Sequence, residues 1–283
     1  MKKIVTCFLG LITLFFGACS EYQKGNGILL YKIVDGKNTP TIGKIAVVFL
    51  TYSEATDNGK VLSETGIFDP IPLEVYATTP QFEGDFQDAF QYLSEGDSAV
   101  VKVSLDSIKL LNPTPILAKD SSKYMTYKVR IHKVINQNGK GDSTFLTSLY
   151  EYKNEEILKR KTAEPEKIER YLTAKKLKYT KTSTGLLYPS DLKTVNNSGK
   201  ELYVSYAFTS LDGKLFLRKY EKIKPEQAHI PGLKEALTIT PKGIKTKVII
   251  PSKLAYSAVG DNDKMSPYTP LICDFMIVNN KTK

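Results

Sequence analysis

Apolar positions along this chain recur with two periods. Residues 200 to 208 alternate between polar and apolar and are rich in Tyr and Val, which predicts a strand. Asp212-Gly213 reads as a hairpin turn, with Lys214 to Arg218 as the returning strand. Leu233 and Leu237, with Ala236 between them, give one apolar face of a short helix, and Pro231-Gly232 mark its start. Gly243 closes that segment. Thr246 to Ile250 and Leu271 to Val278 are β-branched or aromatic runs and predict two further strands. Upstream, Asn154 to Lys178 is rich in Glu, Lys, Arg, Ala and Leu, with Ile157, Leu158, Ile168, Tyr171 and Leu172 as apolar points. This predicts two helical pieces broken at Pro165. The pattern leaves open whether they pack on a domain or form a passive linker. Residues 180 to 199 add a strand around Leu186 to Tyr188 and an Asn196-Asn197-Ser198-Gly199 turn.

The same pattern occurs twice. Phe86-Gln87-Asp88-Ala89-Phe90, Gly96, Val101 and Val103 match Leu233-Lys234-Glu235-Ala236-Leu237, Gly243, Val248 and Ile250 at a constant offset of 147. Gly43-Lys44 matches Gly199-Lys200, Asn58-Gly59-Lys60 matches Asp212-Gly213-Lys214, and Tyr127, Val129 and Ile131 match Cys273, Phe275 and Ile277. One short helix against several antiparallel strands is an α+β arrangement, so two such domains are expected.

The first residues predict export. Lys2 and Lys3 precede an apolar run, Ile4 to Phe16, that is too short to span a bilayer, which takes ~20 residues. Phe15-Phe16-Gly17-Ala18-Cys19 resembles a lipobox, with Phe16 where Leu is usual. Cleavage before Cys19 would make it a lipid-bearing N-terminus. The alternative is an ordinary secretory signal cut near a cysteine. Cys7 would leave with the signal and Cys19 would carry lipid, so Cys273 alone remains and no internal disulfide can form. The core must then stabilise the fold, and a hydrophobic content of 41% suffices.

The net charge of +10 falls to +8 once Lys2 and Lys3 are removed. Its lysines are spread along the chain as on a solvated surface, whereas nucleic-acid binding wants a clustered basic face. Attraction to anionic headgroups is the milder consequence. His132 and His229 are the only histidines and no His/Cys ligand spacing exists, so a metalloenzyme is not expected.

From Leu186 to Val278 the second copy resembles the FKBP-type peptidyl-prolyl cis-trans isomerases. Three stretches carry the resemblance: His229-Ile230-Pro231-Gly232-Leu233-Lys234-Glu235-Ala236-Leu237, Leu254-Ala255-Tyr256-Ser257, and Ser266-Pro267-Tyr268-Thr269-Pro270-Leu271. The family fold is an antiparallel sheet curled around one short helix, with a shallow apolar pocket between them, and the resemblance implies that no metal and no cofactor is used. The resemblance implies that Tyr206 and Phe216 wall the pocket, Ile230 presents a backbone N–H, Leu233 forms the floor and Tyr256 donates its hydroxyl to the substrate carbonyl. Met265 and Pro267 would rim the far loop. Departures fall at Leu217, where the family has Asp, at Leu233, where it has Trp, at His229 in place of Val, and at Cys273 in place of an aromatic wall. In the first copy Phe86 takes the floor position, Glu83 replaces the pocket Ile, the position of Tyr256 falls near Lys109, and the segment Leu110 to Ser122 replaces the flap.

The expected organisation is a signal peptide over 1–18, an N-terminal tether over 19–40, a degenerate FKBP-like domain over 41–137, a helical linker over 138–180 and an isomerase domain over 181–283. The expected function is a lipid-anchored isomerase or folding helper. It would be a monomer in the cell envelope, at the outer membrane, periplasmic or surface-exposed, acting on proline-containing exported chains. The alternative is an inactive peptide- or partner-binding module or scaffold. Leu217 and Cys273 favour that alternative, and Tyr256 with Ile230-Pro231-Gly232 favours the enzyme.

Overall fold

The computed structural model describes residues 21–36, 40–114, 117, 119–137, 143–260 and 265–278. The signal segment and its Gly17-Ala18-Cys19 end lie outside these residues. Among the described residues no helix is long and apolar enough to cross a membrane.

Two wholly antiparallel sheets account for the two copies. The first contains β1 (Gln23–Lys24), β2 (Leu30–Asp35), β3 (Ala46–Thr56), β4 (Val61–Glu64), β5 (Leu73–Ala77), β6 (Ser98–Ser104) and β7 (Tyr124–Asn136). Its spatial order is β1-β2-β6-β7-β3-β4, with β5 also paired to β3. A short 3-10 helix, Phe86–Tyr92, packs against this sheet, and helix α1 (Leu105–Leu111) follows β6. The second sheet contains β8 (Tyr179–Lys181), β9 (Leu187–Pro189), β10 (Leu202–Thr209), β11 (Leu215–Ile223), β12 (Lys245–Ile250) and β13 (Leu271–Val278). Its order is β8-β9-β12-β13-β10-β11, the same path as the first.

The repeat holds down to register. Val101 pairs with Tyr127 as Val248 pairs with Cys273, and the Gly96 N–H donates to the Ile131 carbonyl as the Gly243 N–H does to Ile277. Two sequence expectations change. Strands β1 and β2 lie within the stretch assigned to a tether over 19–40, where they play the part of β8 and β9. Their short, weakly alternating runs hid them. The connector is also one continuous helix, α2 (Ser143–Ala174), with Pro165 inside it. Pro165 and Lys161 both lie on the exposed side, where water can take the carbonyl that proline leaves without a donor.

Helix α2 bridges the domains. Its first half sets Tyr152, Phe145 and Leu149 on Val47, Phe49 and Ile135 of the first sheet. Its second half sets Ile168, Tyr171 and Leu172 on Leu187, Leu211, Ile249 and Ile272 of the second. The passive-linker reading is therefore replaced by a packed strut. Helix α3 (Pro231–Ile239) lies across the concave face of the second sheet and closes its core.

Candidate functional site

The site is built on strand alternation. In β10 the inward positions are Val204, Tyr206 and Phe208, all buried. Leu217, Phe208, Cys273 and Val248 stand side by side across β11, β10, β13 and β12. Helix α3 covers this row with Leu233, Ala236 and Leu237, all fully buried. Its close approach needs Gly232, because a Cβ there would collide with Ile250 Cγ2 and come within 3.1 Å of the Leu254 carbonyl oxygen. Pro231 opens the helix, where a missing N–H has no consequence. Ile230 before it is extended, its carbonyl accepts from Lys234 N–H at 3.2 Å, and its own N–H makes no hydrogen bond among the described residues.

His229 sits in the middle of three rings, with centroids 6.4 Å from Tyr206, 5.8 Å from Phe208 and 6.5 Å from Tyr256. Burial, helped by the charge of Lys219 and opposed by Glu221, holds its imidazole below the ordinary histidine pKa. The Tyr206 hydroxyl donates to Glu221 Oε1 at 2.7 Å. Burial and that bond push the phenol upward. Burial likewise raises the Cys273 thiol and keeps it protonated.

One apolar cluster therefore brings together Tyr206, Ile230, Leu233, Met265 and Cys273, with Phe216, Leu217 and Tyr256 packed against it. His229 joins through its ring contacts. Pro267 stands in the adjoining loop. Two members were missed in the sequence. Phe208 was visible in the alternation two residues after Tyr206, whereas Glu221 carried no signal, being one charge among several on β11. Phe208 lies directly beside Cys273 on the neighbouring strand.

Tyr256 follows a tight turn in which Leu254, Ala255 and Ser257 N–H groups donate to the carbonyls of Pro251, Ser252 and Ser252 at 2.9 Å each. Ser257 takes a left-handed φ of 50°, and its carbonyl accepts from Tyr268 N–H at 2.8 Å, tying this turn to the loop that carries Met265 and Pro267. Helix α2 holds both loops from behind. Glu164 accepts from the Ser252 N–H at 2.5 Å and hydroxyl at 2.6 Å, while Arg160 donates to the Pro267 carbonyl and Thr269 hydroxyl at 2.9 Å each.

The matching place in the first domain is chemically different. Register sets Tyr52 at the position of Tyr206, Glu54 at that of Phe208 and Tyr127 at that of Cys273. The Tyr127 hydroxyl donates to Glu54 at 3.2 Å, and Phe86 packs on Phe90 and Tyr127 with centroids 5.4 and 4.9 Å away. Glu83 is exposed, and Lys109 lies on α1 with its ammonium on the Asp120 carbonyl.

Residues 193–277 match the family model of the FKBP-type peptidyl-prolyl cis-trans isomerases. They form an FKBP-type domain. The match begins just before β10 and ends inside β13, enclosing every candidate pocket residue. Among solved structures, a peptidyl-prolyl cis-trans isomerase from Pseudomonas syringae pv. tomato is 25% identical, with 42% of this chain and 91% of that one covered at a TM-score of 0.35. FkpA from Escherichia coli is 22% identical over 51% of this chain and 74% of its own, at a TM-score of 0.39. The three FKBP domains of wheat FKBP73 are 14% identical, covering 88% and 93%, at a TM-score of 0.33. No curated protein matches the sequence. The FKBP-type domain is thus placed by its own sequence signature.

Proposed function

We propose that the FKBP-type domain is the active isomerase of this protein, that the first domain is an inactive relative, and that Cys19 tethers the pair to an envelope membrane where they act on exported chains. The observation that carries this reading is the gathering of Tyr206 and Phe208 from β10, His229 and Ile230 from the segment before α3, Leu233 from α3 and Tyr256 from the turn after β12 in one apolar cluster.

The chemistry asks little of such a site. Rotation about a peptide bond faces ~18 to 20 kcal/mol because the C–N bond is partly double, and X-Pro bonds isomerise in tens to hundreds of seconds. An apolar recess strips water from the carbonyl, whose solvation favours the planar, charge-separated form. Ring walls hold the pyrrolidine, the Ile230 N–H and Tyr256 hydroxyl orient the chain, and the twisted amide is favoured over the planar one. No nucleophile is required, in keeping with a protonated, buried Cys273. In the first domain Glu54 and Tyr127 occupy the equivalent of the recess and α1 follows the strand where the Tyr256 turn would be, which supports an inactive role there.

A protease-coupled proline-isomerisation assay on the chain from residue 20 onward tests the reading. Tyr256→Phe should lower catalytic efficiency several-fold with little change in stability, as expected for one neutral hydrogen bond of about 0.5 to 1.5 kcal/mol. No acceleration by the wild-type chain, together with binding of proline peptides at this recess, would replace the enzyme by a binding module. Cys19→Ser in the full chain should release the protein from membranes on fractionation, and continued membrane association would place the anchor elsewhere.

A further inference from the structure

Strand β3 carries a charge where its own pattern calls for an apolar side chain. Val48, Leu50 and Tyr52 belong to the core face of the first sheet, and the next position in that alternation is Glu54. Its cross-strand partner is Tyr127, so the pair stands where the second domain has Phe208 and Cys273. Those two are wholly buried, whereas Glu54, Tyr127, Tyr52 and Phe86 are each partly open to water. At this row the first domain offers an accessible face in place of a closed core.

Rings flank the carboxylate. Tyr127 and Phe86 lie 4.9 Å apart between centroids, and Tyr52 stands diagonally across from Tyr127 on the same face. The Tyr52 hydroxyl is engaged with Ser63 Oγ at 2.7 Å, which leaves the Tyr127 hydroxyl, at 3.2 Å, as the one hydrogen-bond donor to Glu54 among the described residues. Asp85 adds a second negative charge, its carboxylate accepting from the Gln81 and Gln87 N–H groups at 2.7 and 2.6 Å. Burial and the charges of Glu54 and Asp85 push the Tyr127 phenol upward, so both carboxylates act on this one ring.

No cation answers them. Among the described residues neither Glu54 nor Asp85 has an ion-pair partner, and Lys109 of the adjoining α1 is turned to Asp106 and the Asp120 carbonyl. A partly buried carboxylate with a single neutral donor carries a desolvation cost that a cation would offset, and ring faces attract the same cation. Arg and Lys side chains combine an apolar stem with a charged head, which matches rings that end at a carboxylate.

We propose that this face of the first domain is a binding site for a basic side chain, Arg or Lys, of an extended polypeptide, held by Glu54 against the rings of Tyr52, Phe86 and Tyr127. Binding there requires no turnover, so the inference stands apart from the isomerase reading of the FKBP-type domain.

Proline-free labelled hexapeptides with one central Arg, Lys, norleucine or Glu test the site by fluorescence anisotropy on the chain from residue 20 onward. At low salt the Arg or Lys peptide should bind roughly tenfold more tightly than the norleucine and Glu peptides, as a cation held by both a carboxylate and ring faces allows. Glu54→Gln keeps an acceptor for the Tyr127 hydroxyl and deletes the charge, so it should erase this preference while thermal melting stays unchanged. Glu221→Gln, made at the second domain's cluster, should leave the preference intact. Equal binding of the four peptides, a preference that survives Glu54→Gln, or one lost in Glu221→Gln overturns the proposal. Without any variant, the Arg peptide should shift the NMR ring resonances of Tyr52 and Tyr127 and leave those of Tyr206 in place, and the reverse pattern overturns the site even if Glu54→Gln proves unstable.

Discussion

Asp69 and Arg160, 91 residues apart, meet in a two-pronged ion pair with both N–O distances at 2.9 Å. Lys167 adds a third contact at 2.6 Å, and all three side chains are about nine-tenths buried or more. With Glu164, whose carboxylate accepts from the Ser252 N–H and hydroxyl, the junction holds two cations and two anions and is formally neutral. Asp69 comes from the β4–β5 loop of the first domain, while Arg160 also grips the loop of Pro267, which couples the domains through one guanidinium.

Removing one member strands the others. Asp69→Asn should destabilise the chain by about 3 to 5 kcal/mol, the usual cost of leaving a buried charge unpaired. Urea denaturation should then resolve two transitions where the wild type gives one. An unchanged single transition would mean that the apolar contacts of α2 couple the domains unaided.

The same helix bears on how the FKBP-type domain must be tested. Ile168, Tyr171 and Leu172 cover one side of its sheet, and burying three such side chains contributes roughly 5 to 9 kcal/mol at ~1.5 to 3 each. That is comparable to the whole stability of a small domain. A chain starting at residue 181 should therefore be unstable, and one starting at 143 should fold and keep activity. Within it, Glu164→Leu should lower kcat through the Ser252 turn that precedes Tyr256, while Glu164→Gln, which keeps an acceptor, should restore part of it. Equal activity from the 181 and 143 chains would remove any role for α2 at the site.

Much of this was legible in the chain. The strand at 271–278, the helix opening at Pro231 and the Asp212-Gly213 turn follow from local pattern, and the constant offset of 147 predicted the shared topology of the two sheets. Arg160, Glu164 and Lys167 were not legible as a junction. Their i, i+4, i+7 spacing is what a solvated helix face also shows, and only Asp69, distant in sequence, tells the two apart. For the same reason the connector, which the sequence left open as a passive linker, is buried on this face. Phe208 was not legible as a site residue because an inward position of β10 shows the same alternation whether it serves the core or a pocket.

The pairing of Phe208 with Cys273 is testable by exchange. Phe208→Ala should cost about 3 to 5 kcal/mol by opening a cavity under His229. Cys273→Phe alone should overpack the row and cost about 1 to 3 kcal/mol. If the two side chains share one volume, the double variant should be more stable than the sum of the single effects by at least about 1 kcal/mol. Strict additivity in thermal melts would show that the positions are independent.

The pocket should respond to acid through His229. Its folded-state pKa is held below the ordinary value of 6.5 by burial among Tyr206, Phe208 and Tyr256 and by Lys219, against the pull of Glu221. The folded state then binds fewer protons than the unfolded one just below pH 6.5, so this contribution to stability is full above 6.5 and is lost as pH falls through the lower folded value. His132 is shifted in the same direction, so the comparison must be with a variant at position 229 rather than with wild type alone. His229→Gln should flatten the acid side of the stability profile between pH 7.5 and 5 by its own share, leaving that of His132. Protonation also sets a charge within the ring cluster proposed to hold proline, so KM for a proline tetrapeptide should rise below pH 6.5 in the wild type and stay level in His229→Gln. A His229 resonance titrating in NMR at or above 6.5, or a KM profile identical in the two proteins, would show that this imidazole is too well solvated to act on the pocket.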